Sequence, residues 1–306
     1  MSILEETPQV QVVSSIPQDY TKRLMVFGGR ASMELAGKIA GKLDVDLGQV
    51  DLRTFADGEV YCRYAESIRG ADVFLIQSTV ANAAQGMTPN DALMELLVMI
   101  DAAKGASAHR IIAVMPWYGY SRQDKKSAPR EPISARVVAQ TLEAVGVDRV
   151  LTMDLHSGQV QGFFSKPVDH MTAMPMLTQY FMDQAWDDEL VIVSPDAGRV
   201  KVARNFARKV GVHWAVMEKE RPAQQVAEIG YVVGDVRGKT AVLVDDMIDT
   251  AGTLCAAAKT VLDEGAARVI ACATHGVFSG PAYERLAYEN SGIERIVVTD
   301  TIPEFS

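Results

Sequence analysis

Residues 240–262 read T-A-V-L-V-D-D-M-I-D-T-A-G-T-L-C-A-A-A-K-T-V-L. Residues 241–244 form a short, unbroken apolar run rich in branched side chains, the pattern of a parallel strand buried on both faces. That strand delivers two carboxylates, Asp245 and Asp246, to its end. Asp249-Thr250-Ala251-Gly252-Thr253 follows as a loop of small residues. The loop opens a helix with Leu254, Ala257, Ala258, Val261 and Leu262 at i, i+3, i+4, i+7 and i+8, one apolar stripe. The rest of the chain is organised around this strand, loop and helix.

Such a loop leaves backbone N–H groups unpaired at the positive end of a helix, where they hold a phosphate. Gly252 lets the backbone come close to it. Two adjacent carboxylates would repel a bare phosphate. They suit a sugar phosphate, whose vicinal hydroxyls donate to Asp245 and Asp246 while its phosphate sits on the loop. The plainer reading is a strand end followed by a threonine N-cap. The stretch resembles the phosphoribosyl-diphosphate (PRPP) binding motif shared by type I phosphoribosyltransferases and ribose-phosphate diphosphokinases. The resemblance implies ribose 5-phosphate or its diphosphorylated form on Asp245, Asp246, Asp249, Thr250, Ala251, Gly252 and Thr253.

A chain of 306 residues has room for two domains with ample core. Its net charge of -9 argues against nucleic acid as a partner, so phosphorylated substrates must meet local positive charge or a metal. Cys62, Cys255 and Cys272 are odd in number and widely spaced, which fits buried thiols in a reducing cytoplasm better than a disulfide framework or a zinc site. No run reaches the roughly 18 apolar residues of a membrane span. Residues 1–20 contain Glu5, Glu6 and Asp19 but no basic residue ahead of an apolar core, and read as a flexible extension rather than a signal peptide.

In chain order, the strand at residues 23–27 turns through G-G-R-A-S into a helix; that turn is either an anion site or a plain junction with Ser32 as N-cap. Asp57-Gly58 is a turn signal between two strand-like runs. A strand at 73–77, a helix at 90–104 and a strand at 110–115 lead to a long connection over 116–132. It carries Arg122, Lys125, Lys126 and Arg130 against only Asp124 and Glu131. A basic loop of this length in an acidic protein suggests a lid over polyphosphate. A helix at 133–145 and a strand at 149–153 follow, the strand ending in D-L-H-S-G-Q-V-Q-G-F-F. The second half begins with a helix at 177–186 and a strand at 190–193, whose end places Asp196 where open α/β sheets bind ligands. A strand at 212–217 then reaches Lys219-Glu220-Arg221, and strands at 269–273 and 296–299 complete the pattern. Two similar halves alternate strands with helices, with no clear residue repeat.

F-x-D-G-E, R-Q-D-x-K, D-L-H-x-x-Q, S-P-D-x-G, K-x-R and D-D-x-x-D-T-A-G-T occur in this one order. Together they resemble the class I ribose-phosphate diphosphokinase family, and the likeness spans nearly all of the chain beyond residue 20. It implies an α/β fold of two doubly wound, type I phosphoribosyltransferase-like domains with mainly parallel sheets. These are expected at 21–168 and 169–306, the last few residues packing back on the first domain. The implied reaction moves the β,γ-diphosphoryl group of MgATP to the 1-hydroxyl of ribose 5-phosphate, giving PRPP and AMP. By the same resemblance, ATP contacts Phe55, Asp57, Gly58, Glu59, Arg122, Gln123 and Asp124, with the hairpin contributed by a neighbouring subunit. Lys219, Arg221 and Arg122 are catalytic, Arg221 also on the ribose phosphate side, and His156 and Asp196 contact Mg²⁺. The implied assembly is a ring of dimers, commonly a hexamer, activated by phosphate and inhibited by ADP in many members.

The chain departs from the common pattern in three places. Arg199 stands where a second glycine is usual, Glu220 where a basic residue is expected, and Trp117-Tyr118 where Tyr-Phe is frequent. The alternatives to a diphosphokinase are a phosphoribosyltransferase that uses PRPP and a non-catalytic regulatory homologue.

Overall fold

The computed structural model describes residues 23–220 and 229–303. The first sheet is built from β1 (Leu24–Gly28), β4 (Asp72–Ile76), β5 (Arg110–Met115), β6 (Arg149–Met153) and β7 (Val168–Met171), in that spatial order and all parallel. Parallel neighbours need crossovers, and the helices α1 (Met33–Lys42), α2 (Pro89–Gly105) and α3 (Ser134–Val145) supply them. α2 begins at a complete capping box: Asp91 N donates to Thr88 Oγ1 at 3.2 Å, and Thr88 N donates to Asp91 Oδ2 at 2.7 Å. Between β1 and β4, β2 (Val50–Thr54) and β3 (Val60–Tyr64) make the antiparallel hairpin that Asp57-Gly58 announces, with Gly58 at φ +98°. The hairpin is fastened to α2 by Tyr64 Oη, which donates to Met99 O at 2.8 Å.

The second sheet runs β10 (Ile229–Val233), β9 (His213–Glu220), β8 (Leu190–Ser194), β11 (Thr240–Ile248), β12 (Arg268–Gly276), β13 (Ile293–Thr299). Only the β9–β10 pair is antiparallel. The branched run of β11 serves two cores at once. Ala241 and Leu243 face α6 (Gly252–Asp263) and α7 (Ala282–Leu286), while Val242 and Val244 face α4 (Met174–Asp183) and α5 (Val200–Val210). All four are at most 1% exposed, so each larger side chain contributes about 1.5–3 kcal/mol through removal from water. α8 (Tyr288–Ser291) precedes β13.

Two elements differ from the sequence expectation. The helix expected at 177–186 starts earlier, at Met174 with Pro175 in its first turn, and stops at Asp183. Trp186 lies beyond it and folds back: its ring stacks on Phe181 at 5.5 Å and its indole N–H donates to Phe181 O at 2.9 Å. The strand expected at 241–244 continues to Ile248, because β12 pairs with it through Ile248↔Gly276 although β8 pairs with it only as far as Leu243. Asp245 and Asp246 therefore sit on a strand held from one flank only.

Buried bonds join the two halves. His275 Nε2 donates to Met153 O (3.1 Å), Thr274 Oγ1 to Asp154 Oδ2 (2.7 Å) and Ser78 Oγ to Thr301 O (2.5 Å), while Trp117 packs edge-on against His275. Among the described residues, no helix is long and apolar enough to cross a membrane.

Candidate active site

The carboxyl ends of the parallel strands supply every group of the site. Asp196 follows β8 by two residues, Lys219 lies on β9 three residues past Val216, which pairs with Ser194 at the end of β8, and His156 follows β6 of the other sheet. Beyond Leu243, with β8 gone from its flank, β11 presents Asp245 and Asp246 toward these neighbours.

At the centre, Asp246 Oδ2 lies 2.7 Å from His156 Nδ1 and 2.6 Å from Arg199 Nη2. Arg199 Nε is 3.5 Å from Asp245 Oδ1, and its Nη2 lies 3.1 Å from His156 Nδ1 and donates to His156 O at 3.3 Å. The Arg199 backbone N–H donates to Asp196 Oδ1 at 3.0 Å, so one residue touches four of the expected ligand-binding groups. Burial, reinforced by the neighbouring Asp246, pushes the Asp245 carboxyl well above the usual carboxylate range. Burial acts on Asp246 in the same sense, but its hydrogen bonds with His156 and Asp245 and the charge of Arg199 outweigh it and hold that carboxyl below the usual carboxylate range.

The loop after β11 turns sharply. Ala251 takes a left-handed φ of +60°, a conformation that disfavours a side chain by about 1–2 kcal/mol, and α6 starts at Gly252 with no side-chain cap. The threonine N-cap of the plainer reading is therefore not what starts this helix. Cys255 N donates to Ala251 O at 2.9 Å; the amides of Gly252, Thr253 and Leu254 ahead of it precede the helical ladder and have no acceptor within it. Arg285 Nη1 donates to Thr250 O at 3.0 Å, and a Cβ on Gly252 would come within 3.1 Å of that guanidinium. Sequence reasoning missed Arg285, which lies in a short helix outside every motif. Asp249 binds Arg122 through Oδ2, while its buried Oδ1 has no partner among the described residues.

Arg122 comes from the basic connection between β5 and α3, which contains no helix or strand over 116–132. The root of this loop is fixed: Tyr118 Oη donates to Ala135 O at 2.9 Å, and Gly119 N to Thr79 Oγ1 at 2.6 Å, where a Cβ on Gly119 would collide at 2.7 Å. Its far part folds on Glu131, which accepts from the amides of Ser127 and Ala128 at 2.7 and 2.8 Å. Lys125, Lys126 and Arg130 are exposed, Asp124 is half-buried, and Gln123 accepts from Ser134 Oγ. Arg122 and Gln123 line a cavity of about 910 Å³ between the halves, whose opposite wall carries Phe278, Ser279 and Tyr283.

The hairpin tip stands apart. Phe55 is 47% exposed, Asp57, Gly58 and Glu59 are exposed, and the tip's bonds are internal: Phe55 N to Glu59 O at 2.8 Å and Glu59 N to Asp57 Oδ1 at 3.2 Å. The G-G-R-A-S turn binds protein groups. Arg30 N and Nε donate to buried Glu95 (2.7 and 2.5 Å), Ala31 N to Gln77 Oε1 (3.1 Å), and Arg30 Nη2 to Thr54 Oγ1 (2.9 Å). Ser32 accepts from Ser78 N and does not cap α1. Arg221 lies outside the described residues, and Lys219 is placed by its position on β9.

The structure thus brings together Arg122, His156, Asp196, Asp245, Asp246 and Asp249 from both halves, and leaves Phe55–Glu59 at a separate exposed edge. A family model for the N-terminal domain of ribose phosphate pyrophosphokinase matches residues 24–146, and one for the phosphoribosyl synthetase-associated domain matches residues 218–306. The ribose-phosphate pyrophosphokinase of Caldanaerobacter subterraneus subsp. tengcongensis is 52% identical, over 93% of this chain and 87% of that protein. That of Clostridium perfringens is 49% identical over 93% and 88%. The crystal structure of phosphoribosylpyrophosphate synthetase from Mycobacterium smegmatis, 47% identical, superposes with a TM-score of 0.84 and covers 93% of each chain. With matches of this extent over both halves, the chain belongs to the ribose-phosphate pyrophosphokinase family.

Proposed function

We propose that this chain transfers the diphosphoryl group of ATP to the 1-hydroxyl of ribose 5-phosphate, yielding PRPP and AMP. The observation that carries the reading is the pairing of a hydroxyl-accepting acidic pair, Asp245 and Asp246, with the Arg122 loop from the other half, which meets the sugar-phosphate loop at Asp249. In this reading Asp245 and Asp246 accept the ribose hydroxyls, and the amides at the start of α6 hold the 5-phosphate. Attack of a hydroxyl on a polyphosphate is limited chiefly by positioning and by charge at the attacked phosphorus. Arg122, Lys219 and Arg221 supply that positive charge, and the basic loop excludes water that would otherwise hydrolyse ATP.

Among the described residues no three His, Cys, Asp or Glu side chains converge as a metal site, so a hard divalent cation here would depend on substrate oxygens for most of its ligands. The cluster is rich in carboxylate oxygens, Asp249 Oδ1 is buried without a partner among the described residues, and a cationic guanidinium sits among Asp245, Asp246 and His156. His156 and Asp196 would hold Mg²⁺ together with substrate oxygens, and the ion would neutralise charge on the diphosphate. We take the exposed Phe55–Glu59 tip to complete the ATP site of a second copy in a homo-oligomer, with phosphate and ADP as regulators. The two domains of this reading are 21–168 and 169–306.

Phosphorus NMR of the protein with MgATP, with and without ribose 5-phosphate, tests the reaction. AMP formed only in the presence of the sugar, alongside a C1-linked diphosphate, is the expected result. PRPP binding without AMP formation would instead mark a phosphoribosyltransferase or a regulatory homologue.

A further inference from the structure

The end of β11 and the loop after it offer three successive carbonyls to one neighbour, the segment that follows β12. Val277 N and Phe278 N donate to Ile248 O at 2.9 and 3.0 Å, Ser279 N donates to Asp249 O at 3.2 Å, and Arg285 Nη1 donates to Thr250 O at 3.0 Å. In a trans peptide the carbonyl and the N–H of the next residue point in opposite directions, and all three peptides are trans. The amides of Asp249, Thr250 and Ala251 are therefore turned away from the segment 277–285, and none of them has an acceptor among the described residues. Successive amides facing one way form a concavity that suits an anion. Backbone amides hold the first two carbonyls, but a side chain holds the third.

That third peptide is the one with a reason to turn. Ala251 is held at φ +60°, a left-handed conformation disfavoured for a residue with a Cβ. Rotation of the Thr250–Ala251 peptide would relieve it and would carry the Ala251 N–H out of line with its neighbours. The bond from Arg285 opposes that rotation. We propose that Arg285 is a positioning residue for the sugar-phosphate loop: by holding Thr250 O it keeps the Ala251 N–H aimed at the 5-phosphate, and so sets the affinity for ribose 5-phosphate from the far face of the peptide. The inference rests on the proposed function, which places the 5-phosphate at the start of α6. Seating α7 does not require the guanidinium, because Ala282 and Leu286 are buried in one core with Leu254 and Ala258, whereas Arg285 is exposed. What the guanidinium fixes is the direction of one peptide.

The test compares the full wild-type chain with Arg285→Met, which keeps the aliphatic stem without a donor, and with Arg285→Ala, which removes both. Titration calorimetry reads ribose 5-phosphate binding without nucleotide, and steady-state kinetics read KM for each substrate. Both variants are expected to bind ribose 5-phosphate about tenfold or more weakly, the weight of one amide hydrogen bond to a charged phosphate. KM for the sugar should rise by the same factor, while KM for ATP and the melting temperature hold. The ratio between wild type and variant should persist at high salt, because the direction of a peptide is not screened, whereas a direct pull of the Arg285 charge on phosphate would fade. Unchanged sugar affinity in a folded variant, a deficit that disappears at high salt, or equal losses for both substrates overturns the proposal. If one variant fails to fold, the other carries the test. The two readings fail separately: AMP formation by wild type beside unchanged sugar affinity in the variants removes only the role of Arg285. Weakened sugar binding in the variants of a protein that makes no AMP removes only the reaction. A wild-type chain that binds no ribose 5-phosphate overturns both.

Discussion

Arg122 and Asp249, 127 residues apart in sequence, meet across the junction of the two halves, one on the basic loop and the other on the loop before α6. The contact leaves Arg122 half-exposed at 53% and Asp249 only 19% exposed. A pair so open to solvent contributes at most about 1 kcal/mol to stability, so its importance lies in placement. Arg122→Ala is expected to lower kcat/KM for ATP by roughly 10²–10³-fold, the range for loss of one donor to developing charge, with little change in thermal stability. Steady-state kinetics beside a thermal melt check both halves of the statement. A large drop in melting temperature would recast the residue as structural.

Lys219 stands at the carboxyl edge of its sheet, on the same side as Asp196 and Asp245. If it acts on the transition state, Lys219→Ala reduces kcat far more than it weakens ribose 5-phosphate binding. Titration calorimetry with the sugar phosphate, set against turnover, separates the two, and near-normal turnover would remove Lys219 from the mechanism.

Glu95 is fully buried and accepts from Arg30 N, Arg30 Nε and Gln77 Nε2, while Arg30 reaches on to Thr54 at the base of the hairpin. Glu95→Ala leaves a buried guanidinium and an amide without their acceptor, at a cost of about 3–5 kcal/mol. Urea denaturation should show this as a lower midpoint at unchanged slope. A loss below 1 kcal/mol would mean that the turn re-forms its bonds elsewhere.

His275 is 1% exposed, donates to Met153 O and takes Thr301 Oγ1 on its other nitrogen. Burial lowers its pKa below the usual 6.5, against the opposing pull of the Asp154 carbonyl and the Asp246 and Asp154 carboxylates. The native state therefore prefers neutral imidazole. Its contribution to stability is complete above pH 6.5 and is lost as pH falls below that value, with a limiting slope of about 1.4 kcal/mol per pH unit. Denaturant melts between pH 7.5 and 5.5 should show a steeper loss for wild type than for His275→Gln. Parallel curves would assign the acid sensitivity to other groups.

Much of this architecture was legible in the sequence because burial writes itself into residue type. The run 241–244 had to be a doubly covered strand, and α6 showed its apolar stripe at helical spacing. Where the strand would end was not legible: Asp245 to Ile248 stay in the sheet only because β12 runs beside them, and strand pairing has no local signature. Trp186 looked like one more helical residue, although its indole prefers to cap Phe181. The site was legible as a set of motifs, but its wiring was not. Arg199 registered as a departure from a glycine, yet its reach to carboxylates more than forty residues along the chain follows from the turn after β8. Arg285 carried no signal, since nothing local distinguishes it from a solvated arginine on a short helix.

The seam at His275, Thr274, Ser78 and Trp117 has a mechanical meaning. Prying the halves apart would break several buried hydrogen bonds together, each costly to leave unmade. Opening at a hinge between the halves would have to break these bonds together. The connection over 116–132, by contrast, is anchored at Tyr118 and Gly119 and exposed over most of its far part, so its displacement would cost none of the bonds of the seam.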